Sequence, residues 1–177
     1  MATLRRTDDR LRLELVDTEA ALLRDLLGDV ADLLADDGST GPPADPVLAR
    51  LLPDAHHDDP RIAAAQRELT EESLRQDKLA DIAVVLAALA QQHGAVDSGG
   101  IDSGGMIIDE FDPWLRALND VRLMLGVELD ISEDVEPPQA VRQPRDFRLT
   151  VYFWLTHLQD CLVEAALSDA DGRTSSG

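Results

Sequence analysis

The sequence predicts a mainly α-helical domain of five to six helices, with a small antiparallel β-sheet formed by an N-terminal hairpin and a strand near 106–109. Three observations lead there. Apolar residues recur every three or four positions through most of the 177-residue chain. The pairs Asp45-Pro46, Asp59-Pro60 and Asp112-Pro113 stand where helical patterns begin. Apolar–polar alternation marks the segment before Val16.

That first segment, "TLRRTDDRLRLELV", places Leu11, Leu13 and Leu15 on one face of an extended strand and Arg10, Arg12 and Glu14 on the other. "TDDR" can reverse the chain, so Thr3–Arg6 and Arg10–Leu15 are expected to pair as a hairpin. A lone hairpin is marginal in water, and "MIID" (Met106–Asp109) is the best candidate for a third strand. Asp17 is expected to cap a helix carrying Leu22, Leu23, Leu26, Leu27, Val30, Leu33 and Leu34 at helical spacing. That helix should stop before the breaker cluster "DDGSTGPP" (Asp36–Pro43).

The repeated Asp-Pro device has a physical reason. Aspartate accepts the orphan amide hydrogens of a first turn, and proline at the first helical position gives up no hydrogen bond. It predicts a short helix over Pro46–Leu51 and a longer one from Pro60, which Thr70 could recap toward Arg75. A separate helix over about Asp77–Gln92 turns Leu79, Ile82, Val85, Leu86 and Leu89 inward. "HGAVDSGGIDSGG" (His93–Gly105) reads as a flexible loop. Pro113–Gly126 is helical, with Gly126 as its stop. Pro137-Pro138 keep 131–144 a linker. A last helix covers about Arg145–Leu167, its stripe formed by Phe147, Val151, Trp154, Leu155, Leu158, Leu162 and Ala165. These elements make a single domain over 1–168, with 169–177 as a disordered tail.

Aromatic residues make up only 3% of the chain, and all lie between Phe111 and Trp154. The last two helices should therefore pack most densely, with Trp114 and Trp154 as structural anchors. Phe153 points away from the Trp154 stripe, toward either a second side of the core or a homodimer interface.

The formal charge of −19 repels phosphate backbones. It favours solubility or a basic protein partner, and it makes nucleic acid an unlikely ligand. A single cysteine, Cys161, excludes an intrachain disulfide and any multi-cysteine metal cluster. The amino terminus has no apolar signal core. The longest uncharged apolar run, "IAVVLAALA" (Ile82–Ala90), falls far short of the ~20 residues of a membrane helix. The expected compartment is the cytosol, with no membrane partner.

Four blocks, "RLLPDAHHDDP", "ELTEESLRQDKLADIAVVL", "WLRALNDVRLMLGVEL" and "VYFWLTHLQDCLVEAAL", occur in an order that resembles the actinobacterial DUF2017 family, over about residues 10–168. "WLRALNDVRLMLG" is the most specific of them. Some members of that family are regarded as regulators of transcription or of the oxidative-stress response. The resemblance implies a regulatory, non-catalytic role and brings no catalytic or metal residues with it.

Each constellation with chemical potential has a plainer reading. His56, His57, Asp58 and Asp59 offer metal-ligand chemistry, but consecutive side chains rarely converge on one ion, and Asp59 serves as a helix cap. His157 and Cys161, four apart on the last helix, could form an activated thiol or half a zinc site. Neither an orienting group nor a third ligand is evident, so Cys161 is read as a small buried apolar residue. "VDSGG" and "IDSGG" echo a serine nucleophile but sit in a soft loop without a base. Asn119 and Arg122 border the stripe of Trp114, Leu118, Val121 and Leu125. They are read as inter-helix anchors, with Glu71 or Glu72 supplying a carboxylate to Arg122. A ligand pocket at the same place is the alternative.

Arg5, Arg6, Arg10 and Arg12 make the hairpin locally basic, and Arg142, Arg145 and Arg148 form a second cluster. The latter two lie at a helix start, where cations oppose the macrodipole, so acidic partners are expected near them. The reading that follows is a non-enzymatic cytosolic regulatory protein acting through protein–protein contacts. No catalytic residue, metal or cofactor is expected. The alternative is a DNA-binding transcription regulator using the basic hairpin. A small enzyme or metal-binding protein stands further off.

Overall fold

The structure is a computed structural model. It describes residues 2–7, 10–35, 45–53, 60–95 and 105–174, with the backbone alone at 6, 7, 10, 60–70, 92–95 and 169–174. Its elements, in order, are β1 (Thr3–Thr7), β2 (Arg10–Glu14), α1 (Asp17–Ala35), α2 (Pro46–Leu51), α3 (Pro60–Ala95), β3 (Met106–Ile108), α4 (Phe111–Glu128) and α5 (Pro144–Thr174). The fold class is the one the periodicity predicts, a mainly helical chain with a three-stranded antiparallel sheet.

β2 is the central strand, with β1 on one side and β3 on the other. The registers Leu11↔Ile108 and Leu13↔Met106 bring the inward residues of the two strands opposite each other. All four are buried, while Ile107 between them faces out. This is the period-two alternation written in both segments. Gly105 stands just before β3, where a Cβ would lie 2.5 Å from Arg12 Cγ and 2.9 Å from Glu14 Cγ.

α1 buries Ala20, Leu23, Leu26, Leu27, Val30 and Leu34. Asp17 is its first helical residue rather than its cap. The cap role falls to Glu19, whose carboxylate accepts from Val16 N at 3.2 Å and from Ala2 N at 3.1 Å, tying the chain start to the helix. Asp45 does cap α2, its Oδ1 accepting from Val47 N at 2.7 Å and Leu48 N at 3.3 Å. α4 departs from the device: it begins at Phe111 after Glu110, so Asp112 sits inside the first turn, where its charge still favours the helix dipole.

The two helices expected over 60–75 and 77–92 are one continuous helix, α3. Nothing in "TEESLRQDKLAD" breaks a helix, since it contains neither glycine nor proline. α3 also takes in His93–Ala95, and 96–104 of the expected flexible loop lies outside the described residues. α4 runs past Gly126 to Glu128. Asp130 N bonds Val127 O at 3.2 Å and Ile131 N bonds Gly126 O at 2.9 Å. Those two bonds are a Schellman closure, and Asp130 takes the left-handed conformation it needs, φ 52°. α5 extends to Thr174, through most of the expected tail.

α4 packs against α1, α2, α3 and α5 and buries Trp114, Ala117, Leu118, Val121, Met124 and Leu125. α5 answers with Val151, Leu155, Leu158 and Leu162. Phe147, expected in that stripe, is 49% exposed, because it lies in the first turn, before α5 meets the core. Each fully buried leucine contributes about 1.5–3 kcal/mol.

Candidate functional site

The polar groups of the helical layer gather in one cleft of about 780 Å³ between α3, α4 and α5. α3 contributes Asp77, Lys78 and Asp81, one turn of a helix whose Ile82 and Val85 face the core. α4 contributes Arg116, Asn119, Asp120 and Arg122, and α5 contributes Gln159, Asp160 and Val163.

Three cations along it are bonded within the chain, although Arg116 stays largely exposed. Arg116 clasps Asp81 through two bonds, Nε to Oδ2 at 2.6 Å and Nη2 to Oδ1 at 2.9 Å. Lys78 Nζ donates to Asp120 Oδ1 at 2.6 Å. Arg122 Nη1 donates to Gln159 Oε1 at 2.6 Å, with its guanidinium 5.3 Å from the Tyr152 ring centre. Gln159 in turn donates to the Leu115 carbonyl at 2.9 Å. These bonds cross from α3 to α4 and from α4 to α5.

Asp120 is the unusual member. Its side chain is 2% exposed. Its Oδ2 is buried without a hydrogen-bond partner among the described residues, as is Arg122 Nε. Burial pushes the Asp120 carboxyl above the ordinary carboxylate range, and the bond to Lys78 only partly opposes this.

The expected carboxylate for Arg122 is not Glu71 or Glu72. Glu71 accepts from Arg75 at 3.1 Å and Glu72 from Gln76 at 2.7 Å, each within α3. Arg75 also reaches the Leu34 carbonyl on α1. The reason is geometric. Asp120 faces Lys78 on α3, and a residue two positions on is rotated by about 200° around the helix, so Arg122 faces α5. Asn119 lines the cleft and is exposed rather than seated at the core boundary. Trp114 is buried in the core. Trp154 is half-buried and lines a separate cavity of about 20 Å³ with Ala2, Leu4, His157 and Cys161.

Sequence reasoning missed Lys78, Asp81, Arg116 and Asp120. One signal was present. Lys78 is the sole lysine of the chain, and Lys78-x-x-Asp81 on α3 has complementary charge to Arg116-x-x-x-Asp120 on α4.

Cys161 Sγ lies 3.7 Å from His157 Nε2. The thiol is partly exposed rather than buried. Partial burial, then Glu164 and Asp160, push its pKa up, so the neighbouring imidazole does not produce a ready thiolate. No group of three His, Cys, Asp or Glu side chains is placed to hold a metal among the described residues, and His56, His57, Asp58 and Asp59 lie outside them.

Arg5 is 66% exposed and stands 3.8 Å from Glu14. Arg12 lies along Gly105, and the side chains of Arg6 and Arg10 are outside the description. In the second cluster Arg148 pairs with Glu128, Arg145 donates to the Leu129 carbonyl at 2.7 Å, and Asp146 accepts from Arg142 N at 2.9 Å. The acidic partner expected near that helix start is Glu128 for Arg148, within the chain, while the Asp146 carboxylate accepts from the backbone amides of Arg142 and Gln143. No helix among the described residues is long and apolar enough to cross a membrane.

Fold and cleft together define a mainly helical chain whose charged groups bridge α3, α4 and α5. The chain belongs to the DUF2017 family, a domain of unknown function, which matches residues 1–166. It is 33% identical to the Mycobacterium tuberculosis protein named oxidative stress regulator AosR, over 89% of this chain and 83% of that one. The Mycobacterium bovis protein of that name gives the same figures. A Mycobacterium leprae protein, also named for AosR, is 28% identical over 90% of this chain and 83% of its own length. No solved structure matches.

Proposed function

We propose that this chain is a non-enzymatic regulatory protein of the cytosol that acts by contacting another protein with a basic surface. The regulatory part is supported by the names of its mycobacterial relatives, which are those of regulators rather than enzymes. The observation that carries the mode of action is how the cleft uses its charges. Lys78, Arg116 and Arg122 are each engaged by groups of the chain itself, on a molecule of net charge −19. A net charge of that sign attracts cationic partners and repels phosphates. The hairpin reading for DNA gains little, since Glu14 lies beside Arg5.

The test is capture from native cytosol on the immobilised full chain, at about 50 mM and about 500 mM salt, with mass spectrometry. The expected result is retention of one basic protein at low salt and its loss at high salt. A parallel arm measures fluorescence anisotropy of duplex DNA at low salt, which should stay flat. Tight DNA binding that falls steeply with salt would replace this reading with the DNA-binding one.

A further inference from the structure

We propose that the cleft between α3, α4 and α5 receives a lysine or arginine side chain presented by a protein partner, with Asp120 at its floor and Asp77 and Asp160 at its rim. The proposal rests on the regulatory reading above and names the surface and the chemistry that it would use.

Four facts carry it. First, the cleft holds a buried carboxylate with one oxygen committed to Lys78 and the other without a partner among the described residues. A buried acceptor left unpaired is costly, so a donor that displaces the groups covering it gains more than it would at the surface. Second, Asp77 and Asp160 line the same cleft and are exposed, so the acceptors are graded from open rim to buried floor. Third, Lys78, Arg116 and Arg122 are each bonded to groups of the chain itself, with Arg122 Nε left without a partner among the described residues. Fourth, no three metal-ligating side chains converge among the described residues, which points to an organic cation with reach rather than a metal ion.

The edges of the cleft favour a peptide over a free amine. Val84, 45% exposed, continues the stripe of Asp77 and Asp81 on α3. Val163 and Leu167, 43% and 63% exposed, continue that of Asp160 on α5. Apolar residues flanking a basic one in the partner could cover these edges, which a small amine would leave in water. Burial also holds the Asp120 carboxyl above its ordinary range, and a second cation would offset that cost.

The experiment titrates the ¹⁵N-labelled full chain with three probes, the capped peptide Leu-Arg-Leu, the same peptide with norleucine for arginine, and agmatine. The expected result is saturable shifts of the Asn119 and Asp120 amides with the arginine peptide and none with the norleucine peptide. Binding should weaken about tenfold in Asp120→Asn, the loss of a charge-assisted bond. It should weaken about two- to fivefold in the double variant Asp77→Asn, Asp160→Asn, as for exposed pairs. Both replaced rim residues are exposed, so this variant keeps the test decisive should Asp120→Asn fail to fold. Shifts that never saturate, or equal affinity in the rim variant, would overturn the proposal. Agmatine binding as tightly as the peptide would overturn it in favour of a small amine ligand. None of these outcomes depends on capturing a partner, so the regulatory reading stands or falls separately.

Discussion

At Asp120 the carboxylate gives up its water, and Lys78 compensates for only part of the loss. The folded pKa is raised by burial, so between the unfolded value near 3.8 and the raised one the native state binds more protons than the unfolded state. Stability from this group therefore rises as pH falls through the folded pKa, the reverse of a salt-bridged surface aspartate. Chemical denaturation from pH 7 toward pH 4 should show the native chain gaining on Asp120→Asn as pH drops. A difference that stays constant with pH would show that Asp120 does not titrate in that range. At Cys161 burial and the charges of Glu164 and Asp160 suppress the thiolate. Its reaction with a disulfide reagent at pH 8 should be slower than that of a free thiol in a short peptide, and Glu164→Gln should speed it. A rate above the peptide's would instead show that His157 activates the sulfur.

Among the elements, the chain reversals give the sharpest expectations. Asp130 holds φ 52° to close α4, a conformation glycine adopts without strain. Asp130→Gly should stabilise by up to about 1 kcal/mol in urea unfolding, and Asp130→Val should cost more than that. Gly105→Ala should cost about 1–3 kcal/mol, because the new Cβ must displace Arg12 and Glu14 where β3 joins the sheet.

The same elements show what a sequence can carry. The sheet was legible because alternation in "LRLEL" and "MII" assigns faces without any knowledge of partners. The Asp45 cap was legible because aspartate and proline act within one turn. The break expected between Arg75 and Asp77 is absent, since neither glycine nor proline stands there to end the helix. The cleft was the least legible feature. Lys78 and Asp120 lie 42 residues apart, and only the packing of α3 on α4 brings them together. The reach of Arg122 to Gln159 depends in the same way on how α5 docks.

On the scale of the whole molecule, the net charge is −19, and Lys78, Arg116 and Arg122 are each bonded to groups of the chain. The long-range field would draw a basic partner in, and the buried acceptor would hold it once it arrives. Competition between the two tests this account most directly. The arginine peptide is added to the full chain already loaded with its basic partner captured from cytosol. The account predicts that saturating arginine peptide releases the partner, while the norleucine peptide at the same concentration does not. A partner that stays bound with the cleft filled would contradict it.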